Sequence, residues 1–185
     1  MSMLFGDNAR TATSLSGKTY AFHKLFYNCT TIQSVSNNFL PATTLSNYCY
    51  NYMFEGCTSL TNAPKLPSNK VTSRAYQRMF RGCTNLTTAP ELNATTVDTY
   101  GYNNMFYGCT KLTTPPPKLP ATTVGNYGYS QMFRSCSALT TAPIISATTV
   151  GTYCCQYMFA GCSKLTDAPS LPATTLANNC YQYMF

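Results

Sequence analysis

Apolar positions along this chain fall into two alternating registers inside one longer period. The dipeptide Met-Phe recurs at Met53-Phe54, Met79-Phe80, Met105-Phe106, Met132-Phe133, Met158-Phe159 and Met184-Phe185, in steps of 26, 26, 27, 26 and 26 residues. Leu25-Phe26 is a degenerate first copy, and one added proline in Pro115-Pro116-Pro117 explains the 27-residue step. Around the anchor the copies share Cys/Ala/Gly-Tyr-x-x-Met-Phe-x-Gly-Cys-Thr-x-Leu-Thr-x-Ala-Pro-x-Leu-Pro-Ala-Thr-Thr-Leu/Val. A period between about 20 and 50 residues signals a solenoid or closed array, in which each unit buries its apolar face only by stacking on its neighbours.

Each unit divides into two parts. In the first, Cys49, Tyr50, Met53, Phe54 and Cys57 occupy i, i+1, i+4, i+5 and i+8, which predicts one face of a short helix. Ser46, Thr72 and Asp98 suit the N-cap of that helix, with Gly125 and Gly151 there in two other copies. Gly56, Gly82, Gly108 and Gly161 stand where a left-handed glycine would end it, after about two and a half turns. The second part, as in Leu60-Thr61-Asn62-Ala63-Pro64-Lys65-Leu66-Pro67, holds two prolines too close for helix. Leu60, Ala63, Leu66 and the closing Leu or Val point inward from an extended path, predicting short parallel strands stacked copy on copy. The expected architecture is an α/β repeat solenoid, each coil of about 26 residues pairing a short helix with a short parallel strand.

The run Phe-x-Gly-Cys-x-x-Leu followed by a proline-containing extended segment resembles the BspA-type leucine-rich repeats, over roughly residues 12–185 and six copies. The resemblance implies leucine-rich-repeat-like coils with a Phe, a Cys and a Leu packed inward on each. Met before Phe, the longer period, and Ala-Pro-x-Leu-Pro in place of an Ile-x-Ile-Pro strand are departures from the commoner repeat. It also implies a surface or adhesion protein of bacteria, and related repeats are similar to those of phage tail-fibre proteins.

Residues 1–20 read as an N-terminal cap or the remnant of an upstream domain, although Ala12-Thr13-Ser14-Leu15 echoes Ala42-Thr43-Thr44-Leu45. Residues 21–185 form the solenoid, whose final repeat is incomplete. Met184 and Phe185 are expected to lie on the coil holding Met158, Phe159 and Leu165. Because an unfinished coil exposes core, further repeats, a cap or a second chain are expected past Phe185. The start has no signal-peptide pattern, and no stretch approaches the roughly 18 apolar residues of a membrane span, so no membrane insertion is expected.

Composition narrows the chemistry. Only 9% of residues are charged, against about a quarter in an ordinary domain. Twelve Lys and Arg against five acids give +7, a balance that suits acidic partners. The basic residues line no continuous column, which disfavours nucleic acid. Of ten cysteines, Cys29, Cys57, Cys83, Cys109, Cys136 and Cys162 hold one place in every copy. Core packing as free thiols is preferred for this column over disulfides or a metal. Cys49, Cys154 and Cys180 alternate with Ala21, Ala75, Gly101 and Gly128 at a second inward position that selects smallness. His23, the sole histidine, aligns with Asn and Gln in other copies and is expected at the surface, with no carboxylate to make it a general base. The Thr-Thr pairs (Thr43-Thr44, Thr95-Thr96, Thr122-Thr123, Thr148-Thr149, Thr174-Thr175) suit hydroxyl columns bonding one turn to the next. No catalytic pair, phosphate loop, cofactor motif or metal spacing is present, so an enzyme is not expected.

Function then rests on positions that vary between copies. One column holds Tyr48, Arg74, Tyr100, Tyr127 and Tyr153; a second holds Tyr52, Arg78, Asn104, Gln131 and Tyr157; a third holds Glu55, Arg81, Tyr107, Arg134 and Ala160. Tyr and Arg are residues that binding surfaces overuse, and exposed Tyr suits stacking on sugar rings. Arg74, Arg78 and Arg81 also read as one basic stripe at i, i+4 and i+7. The candidate surface is therefore Tyr48, Tyr52, Arg74, Arg78, Arg81, Tyr100, Tyr107, Tyr127, Arg134, Tyr153 and Tyr157. It suits a recognition or adhesion module of a larger cell-surface or virion protein, binding a cell-surface glycan or protein, or other subunits of such an assembly. The alternative is a solvated face on a structural spacer, a stiff rod about 30 Å long for six coils stacked at about 4.8 Å.

Overall fold

The computed structural model describes residues 11–185; residues 1–10 of the cap expected over residues 1–20 lie outside them. Among the described residues six two-residue strands occur: β1 (Lys70–Val71), β2 (Thr96–Val97), β3 (Lys118–Leu119), β4 (Thr123–Val124), β5 (Ile144–Ile145) and β6 (Thr149–Val150). They pair in parallel as β1-β2-β4-β6 and β3-β5, each strand on its equivalent one coil away. Isolated bridges extend both rows, among them Leu66 with Leu92, Thr149 with Thr175, and Ser14 with Thr44. The echo noted at Ala12–Leu15 is thus a real coil edge, with Leu15 buried and its N–H donated to the Thr44 carbonyl. Pro64, Pro67, Pro90, Pro117 and Pro120 punctuate the extended segments, where each removes a ladder donor.

The expected helix is absent. Residues 46–57 and their equivalents instead form a ribbon of overlapping β-turns. Cys49, Asn51, Met53, Glu55 and Cys57 donate their N–H groups three residues back, to Ser46, Tyr48, Tyr50, Tyr52 and Phe54. The residues between them, Tyr48, Tyr50, Tyr52, Phe54 and Gly56, donate instead to Ser73, Ala75, Gln77, Met79 and Arg81 of the next coil. Every fourth residue is left-handed: Tyr48 at φ 59°, Tyr52 at 59° and Gly56 at 77°. Alternate turns therefore carry positive φ at their third position, as type II turns do. Ser46, Thr72, Asp98, Gly125 and Gly151 begin this ribbon and cap no helix. Gly56, Gly82, Gly108 and Gly161 do adopt positive φ, but as the third left-handed step of the ribbon.

Pitch explains the choice. Helices pack with axes 8–10 Å apart, whereas parallel strands sit about 4.8 Å apart. A turn ribbon sends half its N–H groups sideways and lets successive coils approach as closely as strands do. Down its inner face Phe26, Phe54, Phe80, Phe106, Phe133, Phe159 and Phe185 stack with centroids 5.3–5.8 Å apart. Phe22, Tyr50, Tyr76, Tyr102 and Tyr129 form a second internal stack at 5.5–6.1 Å. Met53, Met79, Met105, Met132 and Met158 are fully buried beside them, as are Leu60, Leu86, Leu112 and Leu139 at the coil corner.

The repeated cysteines form the expected inward column, and they do more than fill it. Cys57, Cys83, Cys109, Cys136 and Cys162 each donate the thiol to the carbonyl oxygen of Phe26, Phe54, Phe80, Phe106 and Phe133 at 3.0–3.2 Å. All ten cysteines are free thiols. Burial pushes the Cys57 and Cys162 thiols up to about 11, which keeps them protonated as donors. At the second inward position a Cβ on Gly101 would lie 2.6 Å from Val97 Cγ1, so the selection there is for smallness. Among the paired threonines Thr43, Thr95 and Thr148 donate their hydroxyls to the Thr13, Asn69 and Thr122 carbonyls, the expected bonding between coils.

Met184 and Phe185 pack where expected: Phe185 stacks on Phe159 at 5.8 Å, and the Met184 carbonyl accepts from Phe159 N–H at 2.7 Å. Phe185 is 61% exposed. Among the described residues no helix is long and apolar enough to cross a membrane.

Candidate functional site

The ribbon places the variable columns by its backbone. Tyr48, Arg74, Tyr100, Tyr127 and Tyr153 are all left-handed, and so are Tyr52, Arg78, Asn104, Gln131 and Tyr157 four residues on. A left-handed residue other than glycine costs roughly 1–2 kcal/mol, so these side chains must return energy by contacts. They do so along the axis. Tyr48 and Tyr100 flank Arg74, whose guanidinium carbon lies 5.3 and 4.5 Å from the two ring centroids. Arg74 also donates to the Tyr48 hydroxyl at 2.6 Å. Tyr100, Tyr127 and Tyr153 then continue as parallel rings 4.6 and 5.0 Å apart.

The other columns repeat the theme. Arg78 lies over Tyr52 at 5.1 Å. Arg81 pairs with Glu55 at 2.7 Å and lies over Tyr107 at 4.9 Å. Arg134 spans columns, 5.7 Å from the Tyr107 ring and 4.9 Å from that of Tyr157, while donating to Gln131 Oε1 at 3.0 Å. Aromatic stacks contribute about 0.5–1.5 kcal/mol and exposed cation–π pairs about 0.5–1 kcal/mol, comparable with the backbone cost.

All eleven candidate residues therefore share one face, half-buried against one another. Arg74, Arg78 and Arg81 do not form a single helical stripe: each belongs to a separate column and is held by a different aromatic partner. Tyr107 is not a free surface ring, being sandwiched between two guanidinium groups. Two members escaped the sequence reading. Tyr20 extends the first stack 4.5 Å beyond Tyr48, and Lys24 lies 5.5 Å over Tyr52. Both sit in the irregular first copy, whose two extra residues shift the alignment; the tyrosine three residues before His23 was the available signal.

His23 is not a fully exposed side chain. It is half-buried and begins an amide row beneath the ribbon. Asn51 Nδ2 donates to Gln77 Oε1 at 3.0 Å, Gln77 Nε2 to Asn103 Oδ1 at 3.1 Å, and Asn103 Nδ2 to the Ser130 carbonyl at 3.1 Å. Burial first, and then the Lys24 charge, lower the His23 pKa, while hydrogen bonds to Asn51 oppose them. The Asn and Gln of this position are thus an internal polar ladder. Among the described residues no group of three or more His, Cys, Asp or Glu is placed to hold a metal.

A family profile described as a BspA type leucine-rich repeat region matches residues 16–130 and 91–184, in six copies. The chain belongs to this BspA-type family. Among curated proteins none matches its sequence. Three bacterial crystal structures are similar to this BspA-type chain. A leucine-rich cell surface protein of Faecalibacterium prausnitzii shares 23% identity over 76% of this chain and 33% of its own, with a TM-score of 0.47. A leucine-rich repeat protein of Eubacterium ventriosum shares 21% over 74% and 32%, with a TM-score of 0.44, and one of Bacteroides ovatus 19% over 74% and 31%, with 0.39. The chain spans about a third of the length of each.

Proposed function

We propose that this BspA-type chain is a non-catalytic recognition module of a larger bacterial cell-surface protein, and that the Tyr–Arg ribbon is its binding face for a glycan or protein. The observation that carries the reading is the gathering of the chain's variable large side chains on one face, while the Phe, Met, Leu and Cys positions beneath repeat almost unchanged. Rigid aromatic and guanidinium groups held in advance lose little side-chain entropy on binding. The family's association with bacterial surface and adhesion proteins supports the location.

The test is an array of cell-surface glycans and proteins probed with the chain and with a Tyr127→Ala/Arg134→Ala variant. Binding by the first that fails in the second supports the reading. Binding unchanged in the variant, or none at all, favours the spacer instead. One observation speaks for that second reading, in a cell-surface or virion assembly: the ladder residues already satisfy one another, as a stiff rod requires.

A further inference from the structure

The ribbon carries Lys24, Arg74, Arg78, Arg81 and Arg134, which include every arginine among the described residues. It carries two carboxylates, Glu55, already engaged by Arg81 at 2.7 Å, and the exposed Asp98 at the start of one copy. Rings keep the cations apart. Tyr52 lies between Lys24 at 5.5 Å and Arg78 at 5.1 Å, and Tyr107 between Arg81 at 4.9 Å and Arg134 at 5.7 Å. Stacking uses up the faces of both group types in the middle of each ladder. What they can offer a partner is their edges, the terminal guanidinium N–H and phenol O–H groups, while the Arg78 and Arg81 Nε atoms are buried. An edge of this kind is rich in donors and positive, with few acceptors and little negative charge to match.

We propose that this face binds an acidic polysaccharide laid along the solenoid axis, its carboxylates or sulfates received by Arg78 and Arg134. The inference rests on the recognition reading above and names the partner. Guanidinium groups pair with carboxylate and sulfate through their in-plane N–H groups, which stacking leaves open. A protein partner would draw its affinity from side chains anchored in desolvated pockets. Two clefts of the fold lie elsewhere, one beside Phe159 and Phe185, the other around Leu66 and Pro90. A linear polyanion needs only donors repeated along a straight path, and the ribbon supplies runs of rings 4.5–5.1 Å apart, interrupted by guanidinium groups that each lie 4.5–5.7 Å from a ring centroid.

The experiment measures binding of polygalacturonate, heparin, dextran and polyglutamate to the 185-residue chain by titration calorimetry at low and physiological salt. At least one of the two acidic polysaccharides should bind, more weakly as salt rises, and dextran should not. Arg78→Gln with Arg134→Gln should weaken binding at least about tenfold, with an unchanged circular dichroism spectrum. Lys70→Gln with Lys118→Gln, on the strands, should change it by less than about twofold. Failure of both polysaccharides to bind the folded chain overturns the proposal, as does equal loss in the strand variant. Polyglutamate bound as tightly as either polysaccharide also overturns it. A glycan or protein hit on the arrays that needs the ribbon would leave the recognition reading standing in each of those cases.

Discussion

Cys83 donates its thiol to the Phe54 carbonyl oxygen at 3.2 Å, and that oxygen also accepts the Cys57 N–H at 3.1 Å. The same arrangement joins Cys109 to Phe80, Cys136 to Phe106 and Cys162 to Phe133. The column thus uses both the size of cysteine and its proton. Cys109→Ala should destabilise the fold by about 1–2 kcal/mol, from a lost hydrogen bond plus a small void, and Cys109→Ser by less. Urea unfolding compares the two. Equal losses would mean that the thiol only fills space.

The raised thiol pKa values make stability depend on alkaline pH. Burial is the chief cause in Cys49, Cys57 and Cys162, each moved from 9.0 to about 11. The unfolded chain releases these protons first, so the contribution is complete below about pH 9 and is lost as pH rises through about 11. Melting temperature should hold from neutrality to about pH 9 and then fall. A Cys57→Ala/Cys162→Ala variant should be less stable at neutral pH but show a shallower alkaline decline. Parallel decline in both proteins would remove these thiols as the cause.

The left-handed positions can be read by glycine exchange. Gly82 has φ 73°, and the nearest atom to an added Cβ is 3.9 Å away, so Gly82→Ala tests backbone alone. A loss of about 1–2 kcal/mol is expected. Ser135 occupies the equivalent place at φ 61°, and Ser135→Gly should stabilise by up to about 1 kcal/mol. Calorimetric melting of both variants checks the signs. A stabilising Gly82→Ala would be incompatible with the turn ribbon.

Neighbouring residues on the ribbon should respond unequally. Met105 and Phe106 are fully buried, and each change to Ala should cost about 2–5 kcal/mol. Tyr107→Ala should cost about 1–2 kcal/mol, from the two cation–π contacts with Arg81 and Arg134. Chemical denaturation of the three variants measures the order. A Tyr107→Ala effect near zero would mean that the sandwich carries no energy in solution.

The stacking scheme was legible because the repeat is nearly uninterrupted. Once Met53, Met79, Met105, Met132 and Met158 are aligned, every inward column follows, including the cysteines and the Val97 and Val124 strand ends. The helix was not. Pairs at Cys49-Tyr50, Met53-Phe54 and Cys57 repeat every four residues, and across nine residues a four-residue repeat is hard to tell from a helical one at 3.6. Poor helix formers in Asn47-Tyr48-Cys49-Tyr50-Asn51-Tyr52, and Gly101 and Gly128 within two copies, were the local signs against helix. His23 was misplaced for the same reason: a helix would turn its column outward, whereas the ribbon turns the Asn51, Gln77 and Asn103 row inward.

What the chain determines by itself is its period, its family and the identity of each column, because identical coils must bring identical residues into register. The backbone of the first half-coil was decided only by stacking. Tyr48 and Tyr52 gain nothing locally from a left-handed conformation, and an isolated repeat would have no reason to adopt it. Once the next coil offers the Ser73 and Gln77 carbonyls to their N–H groups, and Arg74 and Arg78 to their rings, the cost is offset. Those partners are about one repeat away in sequence and one coil pitch away in space, and that distance is why the left-handed ribbon emerged only in the tertiary structure.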